Sequence, residues 1–122
     1  MLAAVKGKGN ASTELRLAHS LRLATLSGWR RHLPLPGKPD FAWPRLKVVV
    51  FVDGCFWHGC PRCYHAPKHN AQFWREKLEG NKRRDRRVSR QLRALGWTVL
   101  RIWECRVAEP NTIARIARRL SE

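Results

Sequence analysis

Three of the four cysteines crowd into one short run, Phe51-Val52-Asp53-Gly54-Cys55-Phe56-Trp57-His58-Gly59-Cys60-Pro61-Arg62-Cys63, and the fourth, Cys105, closes a later apolar run that begins at Val99. Thiolates at this Cys-x4-Cys-x2-Cys spacing, with one distant partner, make a four-ligand set that suits tetrahedral zinc. Such an ion would tie a loop in the middle of the chain to a segment near its end, and few folds satisfy that constraint. The competing reading is two disulfides, or simply buried thiols. A disulfide framework needs a secretory route, and the stretch Met1-Leu2-Ala3-Ala4-Val5-Lys6-Gly7-Lys8 lacks the apolar core of a signal peptide. No run approaches the roughly 18 apolar residues of a membrane span. The expectation is a reducing cytoplasm and a metal. The same loop carries His58, with Asp53 close by and two large rings, Phe56 and Trp57, that a loop would not normally show to water. A metal-pinned loop with an ionisable pair and protruding rings is an active-site design rather than a core.

Charge sets the class of partner. The chain has 25 Lys and Arg against 9 Asp and Glu, a formal charge of +16. Such an excess opposes compaction unless an anion shares the surface, and the phosphates of a nucleic acid meet that need. A membrane-surface role would place the charge along one amphipathic helix without other site chemistry. The length allows one domain with a real core and is too short for two.

The elements read in a definite order. A first helix opens near Ser12 or Thr13, either of which can cap it, and runs to about Leu26 with Gly28 as its stop. Leu17, Leu21 and Ala24 form its stripe, widened by Leu15 and Ala18. The basic segment from Arg30 to Pro39 contains three prolines and is unsuited to regular structure. Asp40 to Trp43 is a short strand, and Leu46 to Val52 a buried central one, the two joined as a hairpin at Pro44-Arg45. A long helix starts at Asn70 as its N-cap and ends near Leu95 before Gly96. Trp97 to Trp103 is a third strand. Pro110 opens a closing helix with Ile113, Ile116 and Leu120 on one side. Helix, two strands, helix, strand, helix implies an α/β fold, a mixed sheet covered by helices.

The long helix carries a second clue. Trp74, Leu78, Asn81, Asp85, Val88, Leu92 and Leu95 recur at alternating steps of four and three, which sets them on one stripe. Val88 to Leu95 reads as ordinary core. Asn81 and Asp85 interrupt it, and burying each unpaired would cost on the order of 1–3 kcal/mol. They are either satisfied internally or face a functional surface. Lys77 shares a neighbouring face with Trp74 and Asn81, a set that suits base stacking and base-edge contact, or equally a half-buried helix tip.

Magnesium-dependent phosphodiester cleavage needs hard oxygen ligands and a group to move a proton. Asp40 begins one strand and Asp53 ends the next, so a hairpin would bring both carboxylates to the same end of the sheet. His58 lies within the metal-fixed loop, and an imidazole's ordinary pKa near 6.5 suits proton transfer at neutral pH.

Together with Gly37-Lys38-Pro39-Asp40-Phe41, Asn81-Lys82-Arg83-Arg84-Asp85 and Gly96-Trp97 through Ile102-Trp103-Glu104-Cys105, the cysteine-bearing run resembles the very short patch repair (Vsr) endonucleases. The similarity spans about Lys6 to Val107, with the motifs in the family's order and spacing. The resemblance implies a PD-(D/E)XK nuclease-type fold with an embedded structural zinc beside a magnesium site, in a single domain over residues 1–122. It implies an enzyme that nicks one strand of duplex DNA beside a T:G mismatch in a bacterial, cytoplasmic, nucleoid-associated setting, as a monomer. Carried onto this chain, Asp40 would be the main magnesium ligand and the Val52 carbonyl a second, with His58 activating water. Glu14 would act on the metal site through water. Phe56, Trp57 and Trp74 would wedge into the base stack. Cys55, Cys60, Cys63 and Cys105 would hold zinc.

There are departures from the family pattern. Some members carry histidine at the position of Asp53, and one zinc position varies between Cys and His, so His65 competes with Cys63. The N-terminal arm is short, which weighs against T:G specificity more than against nicking. Cys55 stands where many nucleases of the superfamily carry lysine. Two other readings remain: a site-specific restriction or defence nickase without mismatch dependence, and a non-catalytic zinc-stabilised DNA-binding module.

Overall fold

A computed structural model describes residues 11–122, and the N-terminal arm discussed above lies outside them. Helix α1 spans Ala11–Leu23. Strands β1 (Arg30–Arg31), β2 (Phe41–Trp43) and β3 (Val48–Asp53) follow, then a one-turn helix α2 (Cys55–His58) and the long helix α3 (Ala71–Ala94). Strand β4 (Thr98–Trp103), a 3-10 turn (Glu104–Arg106) and helix α4 (Pro110–Leu120) complete the described chain. The order in the sheet is β1-β2-β3-β4, with β1–β2 and β2–β3 antiparallel and β3–β4 parallel. The mixed sheet flanked by helices is the α/β architecture the element order implies.

All six residues of β3 are buried, because each face of the strand meets a different layer. Val48, Val50 and Val52 point into a cluster with Leu17 and Leu21 of α1 and Ile116 of α4. Val49 and Phe51 point the other way, onto Leu92 and Val88 of α3. A strand covered on both faces reads as a continuous apolar run, and this one does.

Several boundaries differ from the sequence reading, each for a local reason. Leu46 lies in the loop, 52% exposed, rather than in the strand. The hairpin pairs Trp43 with Val48, so its loop is residues 44–47, with Lys47 in the left-handed region at φ 57. Ser12 and Thr13 lie inside α1, which is already helical at Ala11. That helix stops at Leu23, where Thr25 turns left-handed (φ 56) and the Leu26 N–H reaches back to the Leu21 carbonyl at 2.9 Å. This is a Schellman-type ending that leaves Leu26 packed on the core. Leu15 is 54% exposed and does not widen the stripe. Asn70 is left-handed (φ 56) and makes no side-chain cap; its carbonyl instead accepts the Trp74 N–H at 3.1 Å. Leu95 is 55% exposed, and Ser89 is buried beside Leu92 in its stead. The proline-rich segment still contributes the two-residue β1 to the sheet edge. No helix among the described residues is long and apolar enough to cross a membrane.

Gly37 governs how closely the loop before Asp40 approaches α3. Its φ is +76, and a Cβ there would sit 2.6 Å from Val88 Cγ1 and 3.2 Å from Phe51 Cε1. Gly37→Ala is therefore expected to destabilise the fold by roughly 1–3 kcal/mol through overpacking and backbone strain. Urea denaturation of the two proteins measures it; equal midpoints would refute the close packing.

Candidate active site and metal centre

The C-terminal end of β3 and the parallel register beside it build the site. Pairing of Asp53 with Trp103 brings the chain leaving β3 alongside the chain leaving β4. Two residues beyond each of these lie Cys55, at the head of α2, and Cys105, in the 3-10 turn. The Glu104 carboxylate accepts the Cys55 N–H at 3.1 Å, holding the two segments together. Gly59 (φ 71) reverses the chain against Leu78 and Lys82 of α3, and the Cys60 N–H returns to the Cys55 carbonyl at 3.0 Å.

All four cysteines are free thiols, and their sulfurs lie within 4.8 Å of one another. Cys60 Sγ and Cys105 Sγ are 3.8 Å apart. Zn–S bonds of about 2.3 Å in a tetrahedron set neighbouring sulfurs about 3.8 Å apart, so this donor set fits zinc. His65 is outside the cluster that could share an ion. Burial pushes the Cys55 thiol up, its neighbouring thiols adding to the effect. For Cys60 burial is outweighed by the N–H groups of Arg62 and Cys63, which hold the thiol below its ordinary value.

A cleft of about 530 Å³ opens beside this centre, lined by Asp40, Val52, Asp53, His58, Asp85 and Arg101 among others. The hairpin does bring Asp40 and Asp53 to the same end of the sheet. Asp40 Oδ2 accepts the Val52 N–H at 2.7 Å, so the carboxylate lies against the end of β3. Glu14 is 3% exposed and Asp40 2%. Their carboxylate oxygens and a ring nitrogen of His32 lie within 4.8 Å of one another. Arg31 donates to Glu14, and His32 Nε2 lies 3.1 Å from it. Two buried carboxylates this close repel each other, and a divalent cation beside Asp40 would relieve that. Carboxylate oxygens and the nearby Val52 carbonyl are hard donors, which fits magnesium.

The second ionisable group is Asp53, His58 and Asp85. His58 Nδ1 lies 2.6 Å from Asp85 Oδ2 but 4.0 Å from Asp53 Oδ1. The partner of the histidine is therefore Asp85, on α3, rather than its neighbour in sequence. Sequence reasoning noticed Asp85 as a break in an apolar stripe and as the last residue of the Asn81–Asp85 motif, and gave it no part in the chemistry. That break is the signal by which it could have been found. Burial pushes the Asp53 carboxyl up, against the opposing pull of Arg101 and His58. For Asp85 burial is outweighed by the hydrogen bond and charge of His58, which hold its carboxyl below the ordinary value of 3.8.

The rings of the cysteine loop form a packed array rather than protruding singly. Phe56 meets Trp57 and Trp74 edge-on at 5.4 and 5.5 Å between centroids. Phe73, which sequence reasoning passed over, extends the array onto Trp74 at 5.1 Å and is 57% exposed. Asn81 donates its amide to the Trp57 carbonyl at 2.8 Å, fastening α2 to α3. That bond engages one of the two amide hydrogens and leaves the other, with the side-chain oxygen, outside it. Lys77 is exposed, and with Trp74 and Asn81 it lines a shallow recess under Trp57.

Residues 1–65 match the family model described as DNA mismatch endonuclease Vsr. The chain is 39% identical over 117 residues to the DNA mismatch endonuclease Vsr of Escherichia coli (strain K12), covering 93% of this chain and 74% of that protein. It is 49% identical over 67 residues to the type II nicking enzyme V.NaeI of Lentzea aerocolonigenes, 55% of this chain and 40% of that protein. It is 43% identical over 77 residues to the type II nicking enzyme V.XorIIP of Xanthomonas oryzae pv. oryzae (strain KACC10331 / KXO85), 62% of this chain and 56% of that protein. The matched region thus spans about half the length of these two nicking enzymes.

Two outcomes check the site. Metal analysis of purified protein should give about one zinc per chain, lost on Cys105→Ala; four free thiols and no zinc would sink the ligand set. Because the folded pKa of Asp85 is lowered, its contribution is present above the unfolded pKa and is lost as pH falls through the folded one. Acid unfolding should therefore contain a component below about pH 4 that Asp85→Asn removes. Superimposable acid-unfolding curves would contradict the His58–Asp85 pair.

Proposed function

The chain belongs to the Vsr family, whose members are DNA endonucleases, and from that premise we propose that it is a magnesium-dependent enzyme nicking one strand of duplex DNA beside a T:G mismatch. The observation that carries the reading is the 2.6 Å contact of His58 with Asp85 in the cleft that also holds Asp40 and Val52. A histidine whose Nδ1 faces a carboxylate carries its proton there, leaving Nε2 free to accept one. His58 Nε2 takes the proton of the attacking water, and Asp85 stabilises the imidazolium that forms. Asp40, the Val52 carbonyl and, through water, Glu14 would hold magnesium. Bound there, the ion would supply positive charge to the phosphate oxygens as negative charge develops. Cys55, Cys60, Cys63 and Cys105 would hold a structural zinc, fixing α2 and hence His58.

The charge of +16 supports DNA as the partner. The array of Phe56, Trp57 and Trp74 supports insertion into the base stack, with Lys77 and Asn81 at its edge. The chain is read as one PD-(D/E)XK nuclease-type domain over residues 1–122, acting as a monomer. Relatives named as type II nicking enzymes favour one other reading, a site-specific nickase that needs no mismatch.

Two end-labelled duplex libraries of random context, one fully paired and one with a central T:G pair, separate these readings. Nicking confined to the T strand of the mismatched set, abolished by Asp40→Ala, is expected. Equal nicking of both sets would replace the mismatch reading with the site-specific one, and binding without nicking would reject both. Trp57→Ala and Trp74→Ala should each weaken binding to the mismatched duplex by roughly 1–3 kcal/mol. Unchanged binding in both variants would reject stacking by these rings.

A further inference from the structure

The cleft contains a cation that no motif singled out, Arg101, in the middle of β4. Register places it beside Phe51 of β3, and its guanidinium lies 4.1 Å from that ring's centroid. Nε donates to Ser89 Oγ at 3.2 Å, and Nη2 to the Asp85 carbonyl at 3.4 Å. Nη1 donates to Asp53 Oδ1 at 2.9 Å and lies 3.8 Å from Asp85 Oδ1. One side chain thus joins β3 and β4 to two successive turns of α3.

We propose that Arg101 is a positioning residue for His58, acting through Asp85, and that Asp53 is the counter-ion that seats Arg101 rather than a ligand of the catalytic cation. The proposal rests on the endonuclease reading above and assigns the part of the site which that reading leaves open. The two oxygens of Asp85 are divided: Oδ2 meets His58 and Oδ1 faces Arg101. With its carbonyl also held, Asp85 can neither rotate about its side chain nor slide along the helix axis without breaking a contact to Arg101. His58 inherits that orientation. Asp53 is closer to Arg101, at 2.9 Å, than to His58, at 4.0 Å. The competing reading puts a divalent cation among Asp53, His58 and Asp85, whose donor atoms lie within 4.8 Å of one another. A guanidinium on the Asp53 carboxylate opposes it, because two like charges would share a part-buried site. Lysine could not replace arginine here, since the contacts run in fixed directions from three nitrogens.

The test uses the full-length zinc-loaded protein and Arg101→Gln, Arg101→Lys, Asp53→Asn and the double variant Arg101→Gln/Asp53→Asn. Each is measured for single-turnover nicking of saturating T:G duplex, binding of that duplex in calcium, melting temperature and the low-field proton NMR signal of His58 Nδ1–H. Arg101→Gln should lower the single-turnover rate by about 10²-fold, the scale expected from misplacing a catalytic group, and weaken or shift the His58 signal, while duplex affinity falls far less. Arg101→Lys should recover only a small part of the rate. The double variant should lose no more than Arg101→Gln alone, because both residues act through one linkage. Losses that multiply in the double variant would give Asp53 an independent role and overturn its assignment as counter-ion. A lowered melting temperature with rate and His58 signal intact would make Arg101 a strut of the fold and overturn the proposal. If the unmodified protein nicks no duplex, the endonuclease reading fails. The His58 signal in Arg101→Gln then still decides whether Arg101 positions the imidazole.

Discussion

Burial of β3 on both faces is the constraint on which the rest depends. Its alternate valines feed two separate cores, one shared with α1 and α4 and one with α3. The strand therefore cannot shift register by one residue without exchanging the two sets. Its backbone is locked between an antiparallel and a parallel neighbour. A strand so held presents its C-terminal end at a defined place, and every chemical group of interest is attached there or docked against it. Val52 and Asp53 are its last residues, and Cys55 to His58 continue directly from it. Asp40 is fastened to it by the Val52 N–H.

The ionisable residues around the end of β3 divide into two groups with different partners. Glu14, His32 and Asp40 face the antiparallel side of β3, with Arg31 bonded to Glu14. Asp53, His58 and Asp85 face the α3 side, with Arg101 beside them. Each group combines two acids, a histidine and one arginine. In the first, Asp40 is held against the end of β3 by the Val52 N–H. In the second, the direct histidine–carboxylate contact suits proton transfer.

Much of this was legible in the chain itself. The unbroken valine run announced a strand covered on both sides, and the cysteine spacing announced four thiols gathered into one donor set. The parallel register of β3 and β4 then explains why a fourth cysteine so distant in sequence joins the other three. Boundaries were less legible, because they turn on backbone conformations that side-chain pattern does not encode. Thr25, Lys47 and Asn70 all adopt left-handed conformations where a glycine would have been the usual signal. The aromatic loop likewise read as exposed rings, whereas α2 folds them edge-to-face against α3.

What the sequence by itself determined is composition and order: a basic chain, an α/β succession of elements, four thiols at ligand spacing, and acids at the ends of adjacent strands. Periodicity and spacing carry that information because they act between residues close in the chain. Which charged group meets which was decided only by the tertiary structure. His58 lies near Asp53 in sequence and yet bonds Asp85, on a helix that crosses the sheet. Arg101 looks like a stray charge in an apolar strand until β4 is laid against Phe51 and beneath α3. Those pairings depend on how three elements pack, and a side chain's choice among partners separated by an ångström or so is settled by packing, not by pattern.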